Sequence, residues 1–313
     1  MTCVSGIAAL LLASVTFLSV LSGGATANII SNAWNRAIRQ TLYEQEVEDI
    51  NSIHKIDNHL ARRLIVMPLT EAFKPNQADL MHDKVQYGDK CSLPTSIGRL
   101  IFEKRYEVPW LFEIKPVSTK ERSQFLASHS IAVDDENSQT AILVNDNGEP
   151  IQSKAPVKKI LDKAYISPLD FRSPENYIFL PKWLMQDLGL KPNEAVDVSF
   201  VRIKLASLVV FQPMTLDWDD LMETVADPKV LLEHEINKYS SLTAGSTIVI
   251  EIKGVEYPMY VKETLAEGGV AVKGVRVQDS DIRTDIDRSY LDELIKIKAA
   301  KEAAEAEAAA EES

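Results

Sequence analysis

The chain has 313 residues, 45% of them hydrophobic and 26% charged, which is enough apolar material for one large or two modest domains with a sizeable core. A formal charge of −12 and a pI near 5.0, with no compensating block of Lys or Arg, argue against a protein that holds nucleic acid through its phosphates. Acidity by itself names no partner.

The first 35 residues carry no charged side chain. Residues 7–21 form an apolar run, then Ser22-Gly23-Gly24 leads into Ala25-Thr26-Ala27, the small-residue pattern of a signal cleavage site with Ala25 and Ala27 at its two key positions. Residues 1–27 therefore read as a secretory signal peptide. The alternative is an uncleaved anchor, because the uncharged stretch approaches the length of a membrane span; the small-residue exit and the Ser and Thr within the run favour cleavage. Residues 28–58 open with NIISNAWNRAIRQTLY, which carries Arg36 and Arg39, has no acid before Glu44, and places Ile30, Trp34, Ala37, Ile38 and Leu42 at helical spacing. This is either the second half of a two-part plastid-targeting leader or a surface helix that leads into the fold. Removal of the signal would take Cys3 with it and leave Cys91 alone, so no intramolecular disulfide could form, as suits a reducing compartment.

Residues 64–69 are a strand candidate, and 74–84 are polar loop or short helix. A repeat then organises the middle of the chain. KCSLPTSIGRLIFEK (90–104) set against YIFLPKWLMQDLGLK (177–191) pairs Leu93 with Leu180, Pro94 with Pro181, Ile97 with Leu184 and Ile101 with Leu188. Each segment reads as a short strand, a Leu-Pro entry to a helix, and a following strand, at 110–114 in the first and 195–201 in the second. Pro181 suits a first helical turn, where its missing N–H costs nothing, and Gly189 suits a left-handed stop. Two such units predict a pseudo-twofold barrel of interlocked halves. Between them, 117–152 is polar around an apolar run at 141–144, which predicts a hairpin or insertion, and 164–171 returns to the core pattern. Cys91 falls opposite Ile178 in the repeat and reads as a core thiol rather than a nucleophile.

After Pro213 the pattern changes to an acidic helix-and-turn segment. Asp227-Pro228 marks a helix start, with Leu232, Ile236 and Tyr239 on one face. Residues 247–252, 255–261 and 270–277 are three strands, the first two joined in hairpin fashion at Lys253-Gly254. The prediction is a small α+β second body. The Glu/Ala-rich tail over 286–313 is a solvated helix or an acidic extension whose Leu291, Leu294 and Ile295 could dock its first turns.

Residues suited to catalysis do not converge. The histidines at 54, 59, 82, 129 and 234 lack any ligand spacing, a lone mature cysteine excludes a Cys-based zinc site, and no Walker loop, dinucleotide fingerprint or nucleophile elbow occurs. Gly268-Gly269 reads as a turn, and Asp217, Asp219 and Asp220 around Trp218 as helix-start acids. No catalytic residue, cofactor or metal site is assigned.

The ordered motifs YGDKCSLP (87–94), VPWLFEI (108–114), PLDF (168–171), YIFLPKWLMQDLGL (177–190), FQP (211–213) and DPKVLLEHEINKYSSLTAGSTIVIEI (227–252) resemble the ubiquitin fusion degradation protein 1 family over residues 59–285. The resemblance implies a mainly β architecture with an α+β part: a double-psi β-barrel over 59–212 followed by a small α/β subdomain over 213–285. It further implies a non-enzymatic ubiquitin-binding adaptor that, with a zinc-containing adaptor partner, brings polyubiquitin or ubiquitin-like conjugates to an AAA segregase ATPase. Nucleic acid is no part of that reading. Three features depart from the family. The polar segment between VPWLFEI and PLDF is longer, Ser167-Pro168 stands where a glycine is usual, and the Glu/Ala tail is expected to stand in place of the region through which family members hold the ATPase and the zinc-containing partner. Joined to the leader, the resemblance implies a symbiont-derived copy acting in preprotein import into a complex plastid, in its periplastidal compartment. An enzyme on a double-psi barrel and a lumenal or membrane-anchored structural subunit are the alternatives.

Overall fold

The computed structural model describes residues 24–56, 60–70, 86–117, 143–144, 150–151, 159–225, 228–278 and 282–299. The chain divides into two compact units, Met1–Ile53 and His54–Ser313. In the first, a single helix α1 (Gly24–Ile56) takes in the backbone of Ala25 and Ala27 and carries the helical spacing read over 28–43 unbroken to Ile56. The apolar run at 7–21, the segment 74–84 and the end of the Glu/Ala tail lie outside the described residues. Among the described residues no helix is long and apolar enough to cross a membrane.

The second unit opens with a closed barrel. Its strands are β1 (Ala61–Pro68), β2 (Lys90–Pro94), β3 (Leu111–Pro116), β6 (Ala164–Ser173), β7 (Tyr177–Leu180) and β8 (Ala195–Val201), in the order β1-β7-β2-β6-β3-β8. β1 runs parallel to β7 with Val66 opposite Ile178, and β6 runs parallel to β2 with Pro168 opposite Cys91. Each half therefore inserts its first strand between the second and third strands of the other half. This is the connectivity of a double-psi β-barrel, and it has the pseudo-twofold that the Leu-Pro repeat predicts. In the insertion between the halves, β4 (Leu143–Val144) and β5 (Pro150–Ile151) pair antiparallel as the expected hairpin.

The repeat works because equivalent residues fill equivalent core positions. Leu93, Leu180, Ile97, Leu184, Ile101 and Leu188 are each 3% exposed or less. The helices α2 (Thr95–Lys104) and α3 (Lys182–Asp187) begin one residue after their prolines: Pro94 and Pro181 occupy the N-cap with extended ψ of 147° and 144°, so each proline ends its strand rather than opening a helical turn. Gly189 is left-handed at φ 57°, and a Cβ there would lie 2.5 Å from the Ile160 side chain, so both backbone sign and space require glycine.

The second body starts earlier than the 212/213 boundary suggests. β9 (Ala206–Pro213) pairs antiparallel with β12 (Val255–Ala266) and parallel with β15 (Arg283–Ile286), outside the barrel. β11 (Thr247–Ile252) joins β12 through Lys253 and Gly254, both at positive φ (52° and 83°), the pattern of a tight two-residue hairpin. The single strand expected over 270–277 is split: β13 (Val270–Ala271) pairs with β12, whereas β14 (Gly274–Arg276) crosses to β10 (Ser241–Thr243). Helices α4 (Asp217–Thr224), α5 (Pro228–Ile236) and α6 (residues 289–299) complete this body. Trp218, Leu232, Ile236 and Tyr239 are all buried in its core, Leu291 of α6 docks there, and Ile295 stays exposed.

The two bodies meet on Asp89, just ahead of β2. Its carboxylate is 1% exposed and accepts from Ser240 N (2.9 Å), Ser241 N (3.0 Å), Ser241 Oγ (2.8 Å) and Ser167 Oγ (3.2 Å). Lys90 Nζ donates to Ser167 Oγ (2.7 Å) and Ser240 Oγ (2.6 Å) and lies 3.8 Å from Asp89. Around this centre Tyr165 N donates to Thr243 Oγ1 (3.1 Å), Thr247 N donates to Asp187 (2.7 Å), and the Trp183 ring stands edge-on to Tyr239. Tyr87 donates to Glu256 at 2.6 Å, and this hydrogen bond with some burial raises its pKa to about 12. Gly274 lets β14 pass against the Tyr165 ring, which a Cβ would meet at 2.1 Å.

Leu184→Ala should lower unfolding free energy by about 2–4 kcal/mol, the cost of truncating a buried leucine, as read from denaturant midpoints. Asp89→Asn should cost about 2–4 kcal/mol, because the amide nitrogen cannot accept from the backbone N–H groups it would face. A loss below about 0.5 kcal/mol would mean that the junction is held elsewhere.

Candidate functional site

The residues that a catalytic reading would call on are dispersed or buried. Cys91 is fully buried opposite Pro168, and burial pushes its thiol well above the ordinary range, which leaves it a small apolar core group. His54 lies at the end of α1, and His234 is an exposed residue on α5 with Nδ1 3.2 Å from Glu235. His59, His82 and His129 lie outside the described residues. Asp217, Asp219 and Asp220 occupy the first turn of α4, where a carboxylate interacts favourably with the helix dipole, and Asp219 pairs with Arg288. Gly268 and Gly269 form a turn at φ 86° and 73°. Among the described residues no three His, Cys, Asp or Glu side chains are arranged to hold a metal ion. Of Ala25 and Ala27 the structure describes only the helical backbone.

Ser167-Pro168 has a structural role that sequence reading missed. Ser167 is a partner of both Asp89 and Lys90, and the β2–β6 register shifts between Cys91 and Ser92, immediately beside the pairing of Cys91 with Pro168, a residue with no N–H to offer. The only sequence signal was a polar residue at a core position of a β-rich run.

The outward surface offers more than the core does. Phe102 on α2 is 64% exposed and packs edge-on against Trp110, with ring centroids 5.3 Å apart; Trp110 in turn lies 5.9 Å from Phe171. Phe171 sits over Gly98, where a Cβ would come within 2.6 Å of it. Val108, followed by a cis bond to Pro109, is 73% exposed. Next to it a cleft of about 240 Å³ opens between the start of β3, the end of β8, the 202–205 link and β14. Arg202 and Arg276 line this cleft with Glu107, and the Arg276 Nε is buried with no hydrogen-bond partner, at a cost of about 1–3 kcal/mol. On the second body Val230, Val255 and Val270 are exposed.

The chain matches no family model. It is 29% identical over 117 residues to ubiquitin fusion degradation protein 1 of Saccharomyces cerevisiae, covering 37% of this chain and 31% of that protein. It is 31% identical over 119 residues to human ubiquitin recognition factor in ER-associated degradation protein 1, covering 38% of this chain and 36% of the relative. A longer match, 21% identical over 215 residues, covers 69% of this chain and 48% of the Caenorhabditis elegans ubiquitin fusion degradation protein 1 homolog. In the first two matches the chain spans about a third of the relative's length. With the barrel topology, these matches make the chain similar to proteins of the ubiquitin fusion degradation protein 1 family over its barrel and second body.

Proposed function

We propose that this chain is a non-enzymatic ubiquitin-recognition factor in a degradation or translocation process of the kind that serves the endoplasmic reticulum. The observation that carries the reading is its similarity to relatives named for ubiquitin recognition and ubiquitin fusion degradation. Exposed apolar side chains on both bodies, Phe102 and Val108 on one and Val230, Val255 and Val270 on the other, are the kind of surface through which a binding module works.

In its finer form the proposal makes the chain an adaptor that hands polyubiquitin, or a ubiquitin-like modifier, to an AAA segregase ATPase together with a zinc-containing adaptor. The apolar run at 7–21, the site at Ala25 and Ala27 and the acid-poor stretch after it support entry by the secretory route, followed by delivery to the periplastidal compartment of a complex plastid.

Single ubiquitin should bind weakly, at micromolar or poorer affinity, because small interfaces seldom do better. Chains should be retained about ten to a hundred times better through repeated weak contacts at high local concentration. Calorimetric titration with monomer and with chains checks this; chains that bind no better than an unrelated protein, with the fold intact, would put the structural-subunit reading in its place. Cys91→Ser should leave that binding unchanged, and its complete loss in a folded variant would restore Cys91 as a reactive group. Residues 1–60 fused to a fluorescent protein should reach the plastid periphery, and Ala27→Arg should block the cut beside it; a fusion that stays in the cytosol overturns the leader.

A further inference from the structure

The cleft beside Val108 has a composition that the ubiquitin reading does not use. In a chain of formal charge −12 it gathers two guanidinium groups, Arg202 and Arg276, and neither has an ion-pair partner among the described residues. Arg276 is held in place by its backbone: its N–H donates to Lys204 O at 2.8 Å, and it bridges Leu205. Its side-chain Nε is buried without a hydrogen-bond partner among the described residues, and the residue lines the cleft. Leu111, Ile203 and Leu205 add apolar side chains to a lining whose accessible surface is on balance polar, and Val108, also in the lining, is exposed. A concavity where charged groups converge beside apolar side chains can orient a ligand that carries both kinds of group.

We propose that this cleft binds an extended segment of a partner protein that presents a carboxylate side chain next to an apolar one. The carboxylate would be held by the guanidinium groups of Arg276 and Arg202, which have no other ion-pair partner among the described residues, because a planar guanidinium matches a carboxylate bidentately. The apolar neighbour would rest on Val108 and Pro109 at the mouth. Glu107, which shares the lining, sets the charge: it repels a phosphate dianion more than a singly charged carboxylate. The second body contributes Arg276 and the barrel the apolar wall, so the cleft exists only while the two are docked. The assignment stands apart from ubiquitin recognition, and either can fail without the other.

The test is calorimetry on the full chain with two probes, the blocked peptides acetyl-Ala-Leu-Glu-Val-Ala-amide and its Gln counterpart, and with acetate and inorganic phosphate as competitors. The Glu peptide should bind with a submillimolar dissociation constant, and the Gln peptide about tenfold more weakly. Arg276→Gln should erase that difference. Val108→Asp, a change at an exposed position that leaves the melting curve intact, should weaken the Glu peptide about fivefold or more, by removing the apolar seat and adding a repelling charge. If Arg276→Gln does not fold, Arg202→Gln and Val108→Asp decide. Equal binding of the two peptides, or no binding at about 5 mM, overturns the proposal. Phosphate that displaces the Glu peptide better than acetate overturns the assignment to a carboxylate.

Discussion

A carboxylate taken out of water must be met on every side, and Asp89 is met by four donors drawn from both bodies of the second unit. Two of these are the backbone N–H groups of Ser240 and Ser241, which enter β10 from the second body. Because the acceptor sits at the head of β2 and the donors at the head of β10, this cluster sets how the second body lies against the barrel. The edge-on contact of Trp183 with Tyr239, the hydrogen bond from Thr247 to Asp187 and the passage of Gly274 across the Tyr165 ring all follow from that placement. The cleft that joins Arg276 of β14 to the barrel wall exists only in the same arrangement.

The barrel was legible because its signal is local and doubled. Leu-Pro at a strand end, followed by apolar residues four apart, occurs twice, and the paired residues prove to be core on both sides of the pseudo-twofold. The hairpin at Lys253-Gly254 was legible for the same reason: two positive-φ residues between alternating apolar strands form a short-range pattern. What sequence could not yield was partnership at a distance. β9 carries an apolar, β-branched run that would suit a barrel strand equally well, and only its pairing with β12, about fifty residues on, assigns it to the second sheet. Residues 270–277 read as one strand, yet β13 stays with β12 while β14 leaves for β10, passing against the Tyr165 ring at Gly274.

The candidate site was less legible than the fold. Asp89 lay within a motif that sequence reading quoted, but its donors are 78 and 151 or 152 residues away, so its role as a structural anchor had no local sign. Cys91 was placed correctly, because its repeat partner Ile178 is apolar and both proved fully buried. The exposed aromatic edge of Phe102 and the guanidinium-lined cleft were not anticipated; they depend on a loop, a linker and a strand from three separate parts of the chain. A barrel that sets exposed apolar side chains at fixed positions would suit the proposed recognition factor, since repeated modest contacts gain from a scaffold that does not reorganise.

The most direct measurement of the central proposal, a two-bodied ubiquitin-recognition module, is amide hydrogen exchange of the full chain with and without ubiquitin chains in excess. The account predicts added protection on solvent-facing segments of the described bodies, while exchange in the buried junction around residues 87–92, 165–167 and 240–243 stays as it was. An exchange pattern that is the same with and without the chains would contradict it.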